Sequence, residues 1–434
     1  MANQNIKNFP RYERYKDSGV DWLEQAPESW KIWRLFSLAK IKSITNCEDE
    51  DLLSVYLNLG VVKFSDIDEK RTNGTSETLE KYQLVEPGDF VLNNQQAWRG
   101  SVGVSTFRGI VSPAYLVLQL SKLITPLFAN YLFRDQIMVS QYLIGSRGVG
   151  TIQRNLYWDK LKKTEVLLPP LPEQTVIAQF LDHKTAQIDR AIAIKEEQIK
   201  LLNERKQIMI QEAVTKGLDP TVPMKDSGVE WIGEIPEHWE VKKLKYLSEI
   251  FRGKFTHRPR NDSRLYDGKY PFFQTGDIAR ANKYLFKYNQ TLNEKGLQIS
   301  TLIPKGTVVM TIAANIGDVA ILDIEACFPD SIIGFKPLSF IINDFLYYSL
   351  SVMKTQFIAT TIKNTQMNLN VDRVGNHLIV LPPVNKQKEI VNFIEIQTEK
   401  INMGVDVYKN QIQALKEYKT TLINEAVTGK IKVN

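Results

Sequence analysis

Cysteine and histidine are scarce in this chain: two cysteines, Cys47 and Cys327, and four histidines, His183, His238, His257 and His377, in 434 residues. One thiol in each half cannot build a disulfide framework, and the histidines show no metal-ligand spacing, so no metal site is expected. Long apolar runs are missing too. The uncharged stretch 109–121 falls well short of the roughly 20 residues a bilayer span needs, and no charged segment followed by an apolar run opens the chain. A cytoplasmic protein with no membrane partner is expected. No GxxxxGK followed by Ser or Thr occurs, so NTPase activity has no visible support. The glycine cluster Gly145-Ser-Arg-Gly-Val-Gly150 has the wrong spacing for a dinucleotide loop, and the Asn/Asp-Pro-Pro-aromatic motif of amino-methyltransferases is absent. Pro329-Asp330 lacks the acid-x-lysine that would complete a nuclease signature. With no nucleophile, base and orienting partner in view, no catalytic residue is assigned.

What is present is a repeat. Lys16-Asp-Ser-Gly-Val20, followed by Trp22 and Pro27-Glu-Ser-Trp30, returns as Lys225-Asp-Ser-Gly-Val229, Trp231 and Pro236-Glu-His-Trp239. Leu168-Pro-Pro170 recurs as Leu381-Pro-Pro383, and Glu212-Ala-Val-Thr215 as Glu425-Ala-Val-Thr428. One structural unit is used twice. A chain of this length exceeds one ordinary core, whereas each half has domain size. With 43% hydrophobic and 24% charged residues the composition is globular.

After each Leu-Pro-Pro a long helix is expected, the first running from Pro172 to about Lys216 without an interrupting proline or glycine. Leu181, Ile188, Lys195, Leu202 and Met209 alternate by three and four with Ala178, Thr185, Ile192, Ile199, Lys206 and Ala213, which makes one stripe. The second helix repeats it: Ile394, Ile401, Tyr408, Leu415 and Leu422 with Val391, Thr398, Val405, Ile412, Lys419 and Ala426. Each helix would span roughly 64 Å at 1.5 Å per residue and could not bury its stripe alone. Packing of the two on each other is expected, through Leu181, Ile188, Ile192, Ile199, Leu202, Met209, Ile394, Ile401, Val405, Ile412, Leu415 and Leu422. Because the repeated opening peptide follows helix one and also begins the chain, the pair should be antiparallel and the molecule approximately twofold.

The blocks 30–166 and 239–380 hold short β-rich runs set off by Gly, Asn and Asp, with helical stretches around 128–143 and 343–358. The expected fold class is α+β: two mixed α/β domains with mainly antiparallel sheets, separated by two long antiparallel coiled-coil helices. The expected divisions are 1–165, 166–217, 218–380 and 381–434. The blocks share only scraps, such as Gln153 and Asn155-Leu156 against Gln366 and Asn368-Leu369, so one scaffold presents two different surfaces.

A formal charge of +6 becomes evidence where it clusters. The segment 251–264 carries Arg252, Lys254, Arg258, Arg260 and Arg264 with His257 against one acid, Asp262. Arginine can bridge guanine acceptors or grip phosphate, and lysine neutralises phosphate. Arg147, Gln153 and Arg154 lie among glycines that permit close backbone approach. Gln95, Gln96 and Arg99 belong to an amide-rich loop capable of bidentate adenine contact. Gln274, Lys363 and Gln366 complete the candidate DNA contacts.

These features together resemble the specificity (S) subunits of type I restriction-modification systems, over almost the whole length. The duplicated Lys-Asp-Ser-Gly-Val openings, Leu168-Pro-Pro-Leu-Pro-Glu-Gln174 and Leu201-Leu-Asn-Glu-Arg-Lys206 carry the likeness, as do Val85-Glu-Pro-Gly-Asp-Phe90 and Gln274-Thr-Gly-Asp-Ile278. The second Leu-Pro-Pro departs from the pattern, with Val384-Asn-Lys-Gln387 in place of Leu-Pro-Glu-Gln. The resemblance implies two target recognition domains reading the halves of a split sequence in double-stranded DNA, held apart by the helices, in a non-catalytic chain. It implies two modification subunits docked on the helices, with restriction subunits joining indirectly. S-adenosylmethionine, ATP and Mg²⁺ are then expected on those partners and no cofactor on this chain. The alternatives are a solitary DNA methyltransferase or nuclease with an unrecognised active site, and a coiled-coil scaffold with sugar- or protein-binding heads.

Overall fold

The computed structural model of the chain describes residues 9–20, 22–67, 78–149, 153–257, 261–361 and 369–433. Two compact units emerge, one of residues 1–196 with 408–434 and one of residues 197–407.

In the first unit, four antiparallel strands line up as Ala39–Ile41, Tyr115–Leu120, Phe90–Asn93 and Val102–Val104. Phe90, Val91, Leu92, Val117 and Leu118 are all fully buried, which accounts for unbroken apolar runs where a half-exposed sheet would alternate. Phe133 stacks on Phe90 with ring centres 4.5 Å apart. The helical stretch expected over 128–143 is two helices, Pro126–Arg134 and Gln136–Gly145. Asp135 divides them: its backbone is extended and its carboxylate accepts the Ile137 N–H, so it caps a new helix.

The second unit holds five strands in the order Ser248–Arg252, Ile332–Pro337, Val308–Thr311, Val319–Leu322 and Tyr284–Leu285, antiparallel except for the last pair. The second expected stretch also divides, into Asn343–Ser351 and Lys354–Ala359. One core joins Trp239, Phe335, Phe345 and Phe357 to Ile210 and Ala213 of one long helix and to Ile390 and Ile394 of the other.

The long helices run Leu171–Lys216 and Val384–Val427. Leu181, Ile394 and Leu422 are fully buried, Ile188, Ile192, Val405 and Ile412 are buried, and Ile199, Leu202, Met209, Ile401 and Leu415 are half-buried. Within the first unit Lys419 pairs with both carboxylate oxygens of Asp189 at 2.7 Å, and Lys195 donates to Gln411 at 2.6 Å. Within the second, Lys206 donates to Asn402 at 3.1 Å. In the first unit partner numbers fall on one helix as they rise on the other, so the helices run antiparallel there.

The repeated peptides build the same local geometry twice. Asp17 and Asp226 each accept the N–H of the glycine two residues on, at 2.8 and 2.9 Å, and those glycines sit at φ of 69° and 70°, where a side chain would strain the turn. Gln174 and Gln387, nearly or fully buried, make matching sets of three bonds. Gln174 accepts from the Thr125 N–H and donates to the carbonyls of Leu123 and Pro169; Gln387 accepts from Ile342 and donates to Phe340 and Pro382. Each glutamine fastens the start of a long helix to the domain before it. The departure at the second Leu-Pro-Pro has a visible cost. Trp30 donates its indole N–H to Glu173 at 3.0 Å, whereas Lys386 stands at the equivalent position beyond Leu381-Pro-Pro383 and the Trp239 indole nitrogen is buried without an acceptor among the described residues.

Candidate nucleic-acid interface

Two of the basic loops of the first unit meet on one surface. The turn Ala97–Arg99 lies beside the hairpin formed by Ser146–Val149 and Gln153–Leu156, tied by a Leu156 N–H to Asn94 carbonyl bond of 3.0 Å. Trp98 joins them. Its indole N–H donates to the Gln95 carbonyl at 2.9 Å, and the guanidinium carbons of Arg99 and Arg154 lie 4.6 and 5.8 Å from its ring centre. Such cation–π contacts contribute about 0.5–1 kcal/mol at exposed sites, enough to orient two long cations. Gln95, Arg99 and Arg147 are exposed, while Gln96 and Arg154 are half-buried. Gln153 takes its place in the hairpin opposite Val149. Trp98 escaped the sequence reading, although a tryptophan inside an amide and arginine cluster is itself the signal.

In the second unit the basic loop is less freely charged than its composition suggests. Asp262, its one acid, grips Arg264 through both oxygens at 3.0 and 2.7 Å and stands 3.0 Å from His257. Arg264 beside it holds the Asp262 carboxyl well below the usual range. Arg252 donates to the Asp330 carbonyl, and Lys254 is exposed. Arg258, Arg260, Lys363 and Gln366 lie outside the described residues. Gln274 opens the short helix Thr275–Arg280; its N–H donates to Asp277 at 2.8 Å and its amide to Gln290 at 3.2 Å. Close by in sequence, Lys283-Tyr-Leu-Phe-Lys-Tyr288 exposes Tyr284, Phe286 and Tyr288 at alternate positions. That basic and aromatic alternation was legible and was missed. Lys283 itself is held by Asp344 at 2.6 Å and by Glu395, which tethers the sheet edge to the second long helix.

Both candidate surfaces present arginines and amides, and the second a lysine as well, the groups that contact phosphates and base edges. The model of the type I restriction modification DNA specificity domain matches twice, at residues 27–204 and 236–414. The chain belongs to that family. A putative type I restriction enzyme specificity subunit, MjaX, from Methanocaldococcus jannaschii is 25% identical over 99% of this chain and 99% of its own. The MjaVIII specificity subunit of the same organism is 26% identical over 99% and 98%. Among solved structures, a chain from work on complex assembly and conformational transition of the type I R-M system superposes with a TM-score of 0.71 at 16% identity, covering 94% of this chain and 99% of that one. The HsdS subunit from Thermoanaerobacter tengcongensis gives 0.52 at 16% identity, over 94% and 98%. These two likenesses concern the fold. As a member of a DNA-specificity family the chain is a recognition component and not an enzyme. No described helix is long and apolar enough to cross a membrane.

Proposed function

We propose that this chain gives a type I restriction-modification complex its DNA target, with residues 1–165 and 218–380 each reading one half of a bipartite sequence in duplex DNA. The helices 166–217 and 381–434 then act as a coiled-coil spacer that fixes the gap between half-sites, in an approximately twofold molecule. The observation that carries the reading is the double match of one specificity family to a chain whose scaffold motifs repeat while its exposed surfaces differ. Identical turns and helix anchors hold the two domains in equivalent ways, and unlike loops give them unlike preferences. In the first domain the readers are Gln95, Gln96, Arg99, Arg147, Gln153 and Arg154, organised around Trp98. In the second they are Arg252, Lys254, His257, Arg258, Arg260, Arg264, Gln274, Lys363 and Gln366.

Catalysis falls to partners in this reading: two modification subunits that bind S-adenosylmethionine, and restriction subunits that use ATP and Mg²⁺. The modification subunits dock on the outer faces of the helices. Exchanging residues 1–165 for those of a relative with a different target tests the division of labour. The methylated sequence should change in one half-site only; a change in both would refute independent reading.

A further inference from the structure

We propose that Arg134 forms, with Arg99, a phosphodiester-binding site in the first unit, a sequence-neutral clamp at the groove between the recognition domain and the end of the second long helix. The inference rests on the DNA-specificity reading and adds a residue that no basic cluster in the sequence marks. Arg134 is the last residue of the helix Pro126–Arg134 and lines a groove of about 660 Å³ together with Arg99, Asn58, Asn130, Lys419 and Asp135. A cation at a helix C-terminus is favourable by itself, and that is the plain structural explanation. Three observations go beyond it.

First, the guanidinium is only partly satisfied. One terminal nitrogen donates to the Asn58 carbonyl at 2.7 Å, whereas Nε is buried with no acceptor among the described residues. A buried donor left without a partner is rare enough to demand an occupant or a strain. Second, no carboxylate pairs with Arg134 among the described residues, and burial pulls its pKa below the ordinary arginine value. Arginine keeps its proton regardless, so Arg134 is a cation without an ion-pair partner among the described residues, half removed from water. Third, the cations of the groove outnumber its free carboxylates. Lys419 is neutralised by Asp189, and the one remaining acid, Asp135, is buried with its Oδ1 accepting from the Ile137 N–H and from Asn424. Arg99 contributes a second guanidinium, continuous with the Trp98 and Arg154 cluster. An anion with several oxygens fits these donors, and the DNA backbone supplies one beside every base step. Because the groove is walled by the domain on one side and by residues 419–423 on the other, a phosphate held there fixes the duplex relative to the spacer and carries no sequence preference.

The test uses the full chain assembled with its modification subunit. Fluorescence anisotropy over a salt series compares wild type, R134Q and R134K on the target duplex and on a scrambled one. R134Q should bind both duplexes several-fold more weakly, with the slope of log K against log salt reduced by about one, and R134K should restore the slope. Equal affinity and slope for R134Q and wild type would overturn the site, as would a loss confined to the target duplex. If R134Q fails to fold, duplexes with single neutral methylphosphonates substitute for it: one position in both the target and the scrambled duplex should weaken wild type and R134K alike and lower the salt slope of each by about one, and the lack of any such shared position would refute the contact. A wild-type complex with no preference between the two duplexes would instead defeat the specificity reading beneath it.

Discussion

Gln174 and Gln387 show how a single residue type can hold a domain to a helix. Each amide satisfies three backbone groups that would otherwise be stranded. Gln174→Leu should lower stability by about 1–3 kcal/mol, the penalty for orphaned buried groups, and chemical denaturation of the chain reads it directly. Asp135 behaves differently. Burial raises its pKa above the ordinary carboxylate value, despite bonds from Ile137 and Asn424 that favour the charged form. A folded-state pKa above the unfolded one means that the charged carboxylate costs stability above the folded value, and that the cost fades as pH falls through it. An asparagine in its place would keep the capping oxygen without the charge. Thermal melts should therefore find Asp135→Asn more stable than wild type at neutral pH, with the advantage shrinking on acidification; a pH-independent difference would contradict the assignment. At this scale the sequence was legible where chemistry is local. The amides and arginines of residues 93–99 and 145–154 announced themselves, but their assembly around Trp98 depends on a hairpin meeting a turn, and no spacing encodes that. Asp262 was counted as one acid against five bases, while its geometry makes it the clamp on Arg264.

Among the elements, the long helices were the most readable, because a heptad stripe is written in consecutive residues. None of the expected stripe residues is exposed, including Thr185, Lys195, Lys206 and Lys419. Exposed apolar residues on the same helices, such as Ile194 at 61% and Ile208 at 59%, fall off the stripe. The contrast is testable by paired truncation. Leu422→Ala should cost about 2–5 kcal/mol, in the range of buried leucine truncations, and Ile194→Ala less than about 0.5 kcal/mol. Similar losses at both sites, measured by denaturant titration, would mean that the stripe is misplaced. The domains were harder to read. Their strands were recognisable as apolar runs, but strand order rests on pairings far apart in sequence, and the break at Asp135 lies inside a run whose apolar content suits one helix.

For the whole molecule, the duplication decides the account. A family defined by DNA specificity matches twice, each match containing one glutamine anchor, and the same turns and terminal glycines recur just outside the two matched stretches. Gly217 and Gly429, both at positive φ, end the two helices beside Trp239 and Trp30. Repetition of scaffold with divergence of surface is what a reader of two unlike sequences requires, and it is why the scaffold could be read from sequence while the target could not. The most direct measurement is selection from randomised duplexes by the chain assembled with its modification subunit. Two short fixed blocks separated by an unconstrained gap of constant length are expected; enrichment of one continuous block, or of none, would contradict the claim that two units read one target in two parts.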